Sequence, residues 1–316
     1  MPKLITRFLS SAMFSVCLLA ACMAFSTKSA AEDYPAEIVD VVETPYSYLS
    51  ATPVYQFDSD LDDGGSVSVF RLLFNASRKI TLSETLKARF NLGYAYADYN
   101  FSDPQAFAGV KPWDKVHNLS FGGSLAYVLA PDWSILVAPK VEVSREDGAK
   151  WGNAFQYGGA VSVTREFGPS LTLGIGAAVF SKLEQVKAFP LLILSWQITD
   201  RLTLANPSPA GPAGPAGLEL SYRLDDGWNM KAGVAFRSES FRLKNSGPYA
   251  DGIGKFKSIP AWGCLSRIVG EHFKLDLYGG VMFGGEVRVD DSEGDRLASD
   301  DYDPAPFMAL TISSRF

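Results

Sequence analysis

The chain has 316 residues, a formal net charge of −6, 47% hydrophobic residues and a mean hydropathy near zero. That charge argues against general nucleic-acid binding, and beyond the N-terminal segment no apolar run has the length a membrane-spanning helix needs. Strands that alternate apolar and polar residues hide a lipid-facing surface from such averages, so a soluble β-sandwich and a membrane β-barrel both remain open.

The N-terminus reads as a targeting segment. Lys3 and Arg7 form a positive region ahead of an apolar stretch from Phe8 to Phe25. Ser29-Ala30-Ala31 before Glu32 fits signal-peptide cleavage, and this reading is preferred because a closed barrel needs no lipid anchor; Leu19-Ala20-Ala21-Cys22 offers lipidation at Cys22 as the alternative. Cleavage after Ala31 removes Lys3, Arg7 and Lys28 and moves the charge from −6 to about −9. Of the three cysteines only Cys264 then remains, without a disulfide partner. The expected organisation is a signal peptide over 1–31, a short periplasmic segment over 32–44 and one domain over 45–316.

From there the chain reads as strands. Successive side chains of a strand point to opposite faces, and Ser66 to Asn75 places Phe70, Leu72 and Phe74 opposite Arg71. Thr85 to Ala97 alternates Leu86, Ala88, Phe90, Leu92, Tyr94 and Tyr96 with Lys87, Arg89, Asn91, Gly93 and Ala95. The pattern recurs in 118–129, 133–144, 155–167, 171–182, 191–198, 202–206, 218–224, 228–238, 258–268, 273–289 and 307–316. Leu191 to Ile198 differs in being apolar on both faces apart from Ser195 and Gln197. Pro260 suggests a strand start or rim position. The segment Pro207 to Gly217, with Gly at every third position from Gly211, is too short for a collagen helix and is expected to be a stiff external loop.

Short turns at Arg78, Asp132, Gly168, Asp200, Asp226 and Gly270 alternate with longer connections. Short turns on one side and long loops on the other characterise transmembrane barrels, whose bacterial single-chain forms have even strand numbers. The thirteen strands above need one more, which Pro45 to Phe57 supplies. The expectation is therefore an all-β, antiparallel up-and-down transmembrane β-barrel of about fourteen strands, within a range of 12–16. Fourteen tilted strands enclose a cylinder on the order of 28 Å across. Its inward positions include Gly93, Ala95, Gly122, Ser124, Gly158, Ala160, Gly174 and Gly176, too small to fill it.

The closing strand carries a resemblance. Met308, Leu310, Ile312 and Phe316 share one face, and Ala309, Thr311, Ser313 and Arg315 the other. This resembles the last strand of Gram-negative outer-membrane β-barrel proteins, whose terminal aromatic residue is read by the barrel assembly machinery; Ser314 departs from the pattern, where a bulky apolar group is usual. The stretches Gly214 to Arg223, Leu275 to Gly280 and Asp300 to Phe307 resemble a family of outer-membrane barrels carried as a domain of unknown function. That resemblance implies fold and location, with lipid and lipopolysaccharide as surroundings, and supplies no catalytic or binding residues.

Candidate sites are few. Lys87, Arg89, Arg223, Lys231, Lys274 and Arg315 fall on inward positions near the periplasmic ends, with Asp276 as the one acid placed among them; they form a basic ring able to favour anions, or else pair with carboxylates. Asp58, Asp60, Asp62 and Asp63, with Asp300, Asp301 and Asp303, are candidate contacts for cations or lipopolysaccharide. The first group mimics a calcium loop, but Gly64 comes one position late and Val69 stands where a bidentate Glu belongs. His117 and Ser120 lie on opposite faces of one strand, which disfavours a hydrolase. Tyr94, Tyr96, Tyr127, Trp133 and Trp228 fit interfacial girdles. No metal-ligand cluster, cofactor or nucleotide motif appears. These features point to a non-enzymatic passive channel or transporter for small solutes, with a sealed surface-interaction barrel as the alternative and a lipid-modifying enzyme third.

Overall fold

The computed structural model describes residues 46–208, 211–214, 216–225 and 227–316, without the side chain of residue 182. The expected signal peptide, the periplasmic segment over 32–44 and Pro45 lie outside the described residues. Sixteen strand segments form one sheet: β1 (Tyr46–Asp60), β2 (Ser66–Thr81), β3 (Leu86–Ser102), β4 (Lys115–Ala130), β5 (Trp133–Glu146), β6 (Phe155–Glu166), β7 (Leu171–Lys182), β8 (Gln185–Gln197), β9 (Leu202–Ala205), β10 (Gly217–Asp225), β11 (Trp228–Ala235), β12 (Arg237–Arg242), β13 (Ile253–Val269), β14 (Phe273–Asp290), β15 (Arg296–Tyr302) and β16 (Ala305–Arg315). Segments β11 and β12 pair with successive stretches of β13, and β15 and β16 with successive stretches of β14. Each pair is therefore one interrupted stave, and the wall has fourteen staves. Every stave is antiparallel to its chain neighbour, and β1 pairs with β16 to close the ring.

The closure follows from the physics of lipid, where an unpaired backbone N–H or C=O costs several kcal/mol and only helices or closed barrels satisfy them all. Alternation then sets the two surfaces. Phe74, Phe90, Leu92, Tyr94, Leu119, Phe121, Leu125 and Tyr127 stand exposed on the outside, while Arg71, Thr52, Ala309 and Thr311 are buried within. Met308, Leu310 and Ile312 face outward as expected, because Ala309, Thr311 and Ser313 occupy the buried face of β16. Trp133 and Trp228 lie at strand ends under the guanidinium groups of Arg165 and Arg267, 5.3 and 4.6 Å from the ring centroids.

Four details differ from the sequence reading. The strand through Arg78 continues to Thr81 and turns at 82–85; Arg78 stays in β2, its Nη1 donating to Ser47 Oγ at 2.7 Å. Strand β8 begins at Gln185, so the connection from β7 is a tight turn through Leu183, at φ 54°, where a long loop was expected. Pro260 lies inside β13, next to a bulge between Lys257 and Ile259, a place where a ladder tolerates a missing donor. The described part of the segment expected to be external turns inward: Pro207, Pro212 and Ala213 are buried, and with Gly211 they line a small cavity against Glu219, Trp262 and Tyr278 of the inner wall.

The end of the barrel that carries the β3–β4 connection and β12 has a hydrophobic core of its own. Tyr99, Phe101, Trp113, Phe241 and Phe256 pack with edge-to-face and tilted contacts, Trp113 lying 5.4 Å from Phe101 and 5.1 Å from Phe241. Phe107, from the one-turn helix Gln105–Phe107, joins them. Strand β12 leans inward to make this contact: its Arg242 bridges Arg145 of β5, and its Ser240 carbonyl accepts from Gln156 Nε2 of β6 at 2.8 Å. Trp113 is fully buried, so Trp113→Ala should lower unfolding free energy by about 3–5 kcal/mol; denaturant titration in detergent micelles measures this.

Candidate functional site: the lumen

Below that core, the lumen faces of β3 to β7 carry many small side chains at mid-height, including Gly93, Gly122, Ala160 and Gly176. Inward-pointing Asn91 and Lys140 are nonetheless solvent-exposed, and the Lys140 side chain is 44% accessible beside Glu142 at 2.5 Å. Inward residues of a packed barrel are covered; these two border open space.

The six basic candidates split into two groups. Lys231 pairs with Glu219 at 3.3 Å, and Lys274 with Asp276 at 3.0 Å. Ser266 Oγ donates to Asp276 and Trp262 Nε1 to Glu219, so β10, β11, β13 and β14 share a buried polar network. Glu219 thus joins Asp276 as a second acid, and these two lysines are neutralised locally. At the mouth, Tyr46 is ringed by cations. Arg89 Nη2 donates to its hydroxyl at 2.8 Å, while Lys79, Arg89 and Arg315 lie 5.6, 5.8 and 4.1 Å from its ring centroid. Lys79 was not singled out in the sequence, although its alternation with Arg78 on β2 points it inward. Lys87 lies on the same face of β3 as Arg89. Arg223 donates to the Asp200 carbonyl in the β8–β9 turn.

Higher up, Arg71 is 1% exposed. Its guanidinium meets Glu239 of β12 at 3.7 Å and lies 5.7 and 5.3 Å from the Tyr99 and Phe256 ring centroids. Glu239 also pairs with Arg237 at 2.6 Å and accepts from the Tyr99 hydroxyl at 3.1 Å. This network ties the in-leaning strand to the opposite wall.

The acidic candidates come together at the rim on the side of the aromatic core. The Asp62 and Asp303 amides donate to the Asp301 and Asp60 carbonyls, and the Asp63 amide to Asp300 Oδ1 at 3.2 Å. Asp58 lies nearby on β1. No group of residues suited to a metal ion occurs among the described residues. Burial, with Asp63 and Asp62 alongside, raises the Asp300 carboxyl above its ordinary value. Backbone N–H groups of Asp295, Glu293 and Gly294 hold exposed Asp291 below its own. His117 sits on the outer face, with Tyr94 Oη at 2.8 Å from Nδ1 and Asp147 Oδ1 at 3.0 Å from Nε2. Ser120 points inward, so the structure does not bring the two together.

Residues 43–314 match the family described as Domain of unknown function (DUF6268). The chain belongs to this family. A search of curated proteins found no match. Among solved structures, the COG4313 outer membrane channel from Pseudomonas putida F1 is 8% identical over 92% of this chain and 100% of that one, with a TM-score of 0.46. The Pseudomonas putida toluene transporter TodX is 10% identical over 89% and 92%, with a TM-score of 0.47. A Pseudomonas aeruginosa FadL homologue is 10% identical over 90% and 93%, with a TM-score of 0.31.

Two outcomes are expected from this family member. Arg71→Met leaves Glu239 with one fewer cation in a buried setting and should cost about 3–5 kcal/mol; Arg71→Met with Glu239→Gln should cost less than the sum of the two singles in denaturant titrations. The raised Asp300 carboxyl contributes stability that is present below the ordinary carboxylate range and is lost as pH rises through its higher value. Limited proteolysis of the β1–β2 and β14–β15 hairpins should therefore run slower at pH 4 than at pH 7, and Asp300→Asn should narrow that difference.

Proposed function

We propose that the barrel is exported to the outer membrane of a Gram-negative bacterium and serves there as a passive channel or transporter for small solutes. The observation that carries this reading is the open middle of the lumen, where inward-facing Asn91 and Lys140 remain exposed among glycine and alanine positions. A barrel serving only as a scaffold has no need of this volume. The cations at the mouth, Lys87, Arg89 and Arg315 among them, favour anions by raising their local concentration. The aromatic core restricts axial flow at the extracellular end. Phe316 and the outward face of β16 would serve as the assembly signal, and lipid with lipopolysaccharide would surround the barrel.

A second reading has one observation in its favour. The aspartates of the β1–β2 hairpin and of β15 are assembled on one rim, which suits a sealed barrel acting through surface contacts with cations or lipopolysaccharide.

Refolded protein in planar bilayers separates the readings. Wild type should conduct weakly. Deleting residues 104–112, which removes Phe107 from the core, should give stable steps several-fold larger, with anion preference. Lys87→Glu with Arg315→Glu in that background should move the reversal potential toward cations. Silence from the folded deletion variant, together with no solute uptake into liposomes, would remove the channel reading and leave the surface one.

A further inference from the structure

The wall of the barrel is interrupted between β8 and β10. Strand β9 has four residues and gives β8 only three partners, at Ser195, Trp196 and Gln197. The chain then turns inward through Pro207 and Pro212, and β10 begins at Gly217. Above this level no described residue pairs in a ladder with the β8 edge over residues 185–191, roughly 23 Å of strand at ~3.3 Å per residue.

The gap has built margins. At its foot Asn206 replaces the missing rungs: its Oδ1 accepts from the Leu194 amide at 2.9 Å, and its Nδ2 donates to the carbonyls of Leu192 on one side and Gly217 on the other, at 3.2 and 3.1 Å. These bonds show that Leu192 and Leu194 direct their backbone groups toward the gap, and period two gives Pro190 the same direction. Pro190 has no N–H, so the edge lacks a donor where no strand receives one. Proline and side-chain capping blunt open sheet edges. At the top, Glu184 pairs with Arg242 of β12, and Gln185 Nε2 donates to the Gly294 carbonyl at 3.5 Å. The result is a window with a foot, two sides and a lintel.

Its level and lining identify what passes. On the outside the rims are lipid-facing: Val186 is 74% and Leu192 62% exposed on β8, and Phe236 is 51% exposed beyond β11. Inside, the middle of the β8 face is apolar, with Phe189, Leu191 and Ile193 opposite Ala178, Gly176 and Gly174 of β7, while Lys187, opposite Phe180, lies above them on the same face. Phe189 points inward yet is 39% exposed, so it borders open lumen. A polar solute gains nothing by leaving water through an apolar frame into hydrocarbon, whereas an apolar one does. We infer that this window is a lateral passage between the lumen and the membrane for small uncharged apolar molecules.

The inference rests on the channel reading, and the test separates the two. Cells expressing the full chain should take up N-phenyl-1-naphthylamine, and Phe189→Arg should slow that uptake at least about tenfold, since a charge is costly at membrane depth. Conductance of the 104–112 deletion should change less than twofold when Phe189→Arg is added. Equal uptake by wild type and Phe189→Arg, with the deletion variant still conducting, would overturn the window and leave the channel standing; loss of both signals in folded protein would end both readings. A second measurement does not depend on transport. In a Cys264→Ser background, bimane on Phe189→Cys should be quenched by doxyl-labelled lipid, while bimane on Ala160→Cys, on the lumen face behind paired strands, should not. Equal quenching at both positions, or none at either, would overturn the proposal.

Discussion

The structure depends on one constraint: in hydrocarbon each backbone donor and acceptor must find a partner within the protein. Fourteen antiparallel staves closed by the β1–β16 ladder meet it. Side-chain alternation is its corollary, because a strand paired on both edges can present only its two faces, one to lipid and one to the lumen. The terminal strand illustrates the economy of this. Met308 and Leu310 meet the membrane while Thr311 Oγ1 meets Thr52 Oγ1 at 2.8 Å across the closing seam.

Departures from that regularity are where the barrel acquires individuality. The in-leaning β12, the buried Arg71–Glu239 contact and the aromatic core around Trp113 close one end. The short β9 opens one side. Between them lies a lumen whose width comes from glycine and alanine on five consecutive staves. Closure at the end and interruption at the side are coupled through shared residues: Arg237 reaches the Pro212 carbonyl and Arg242 reaches Glu184, so the in-leaning strand at the aromatic end also braces the segment and the hairpin beside the gap.

Electrostatics follow the same division. On β10, β11 and β14 lysines are matched by acids, as Lys231 is by Glu219 and Lys274 by Asp276. At the mouth beside Tyr46, Lys79, Arg89 and Arg315 gather on its ring. Aspartates of the β1–β2 hairpin and of β15 gather on the opposite rim.

Strand number and the two faces of each strand were determined by the sequence alone, because period-two alternation is a local property that each segment displays on its own. Signals failed where local and distant demands diverge. Thr81 continues a ladder through a polar stretch resembling a turn, and Gln185 to Pro190 is strand despite Glu184, Lys187 and a proline, because β7 supplies its pairing. The glycine-proline segment after Asn206 reads as a surface loop, since nothing local shows that Trp262 and Tyr278 wait for it inside. The double apolar character of Leu191 to Ile198 was visible, but its meaning was not. Only the tertiary structure decided which side chains share the lumen, that Phe107 and Trp113 pack together across one end of it, and that β8 over residues 185–191 has no ladder partner on one edge among the described residues, because each of these depends on residues far apart in the chain that no window of sequence contains.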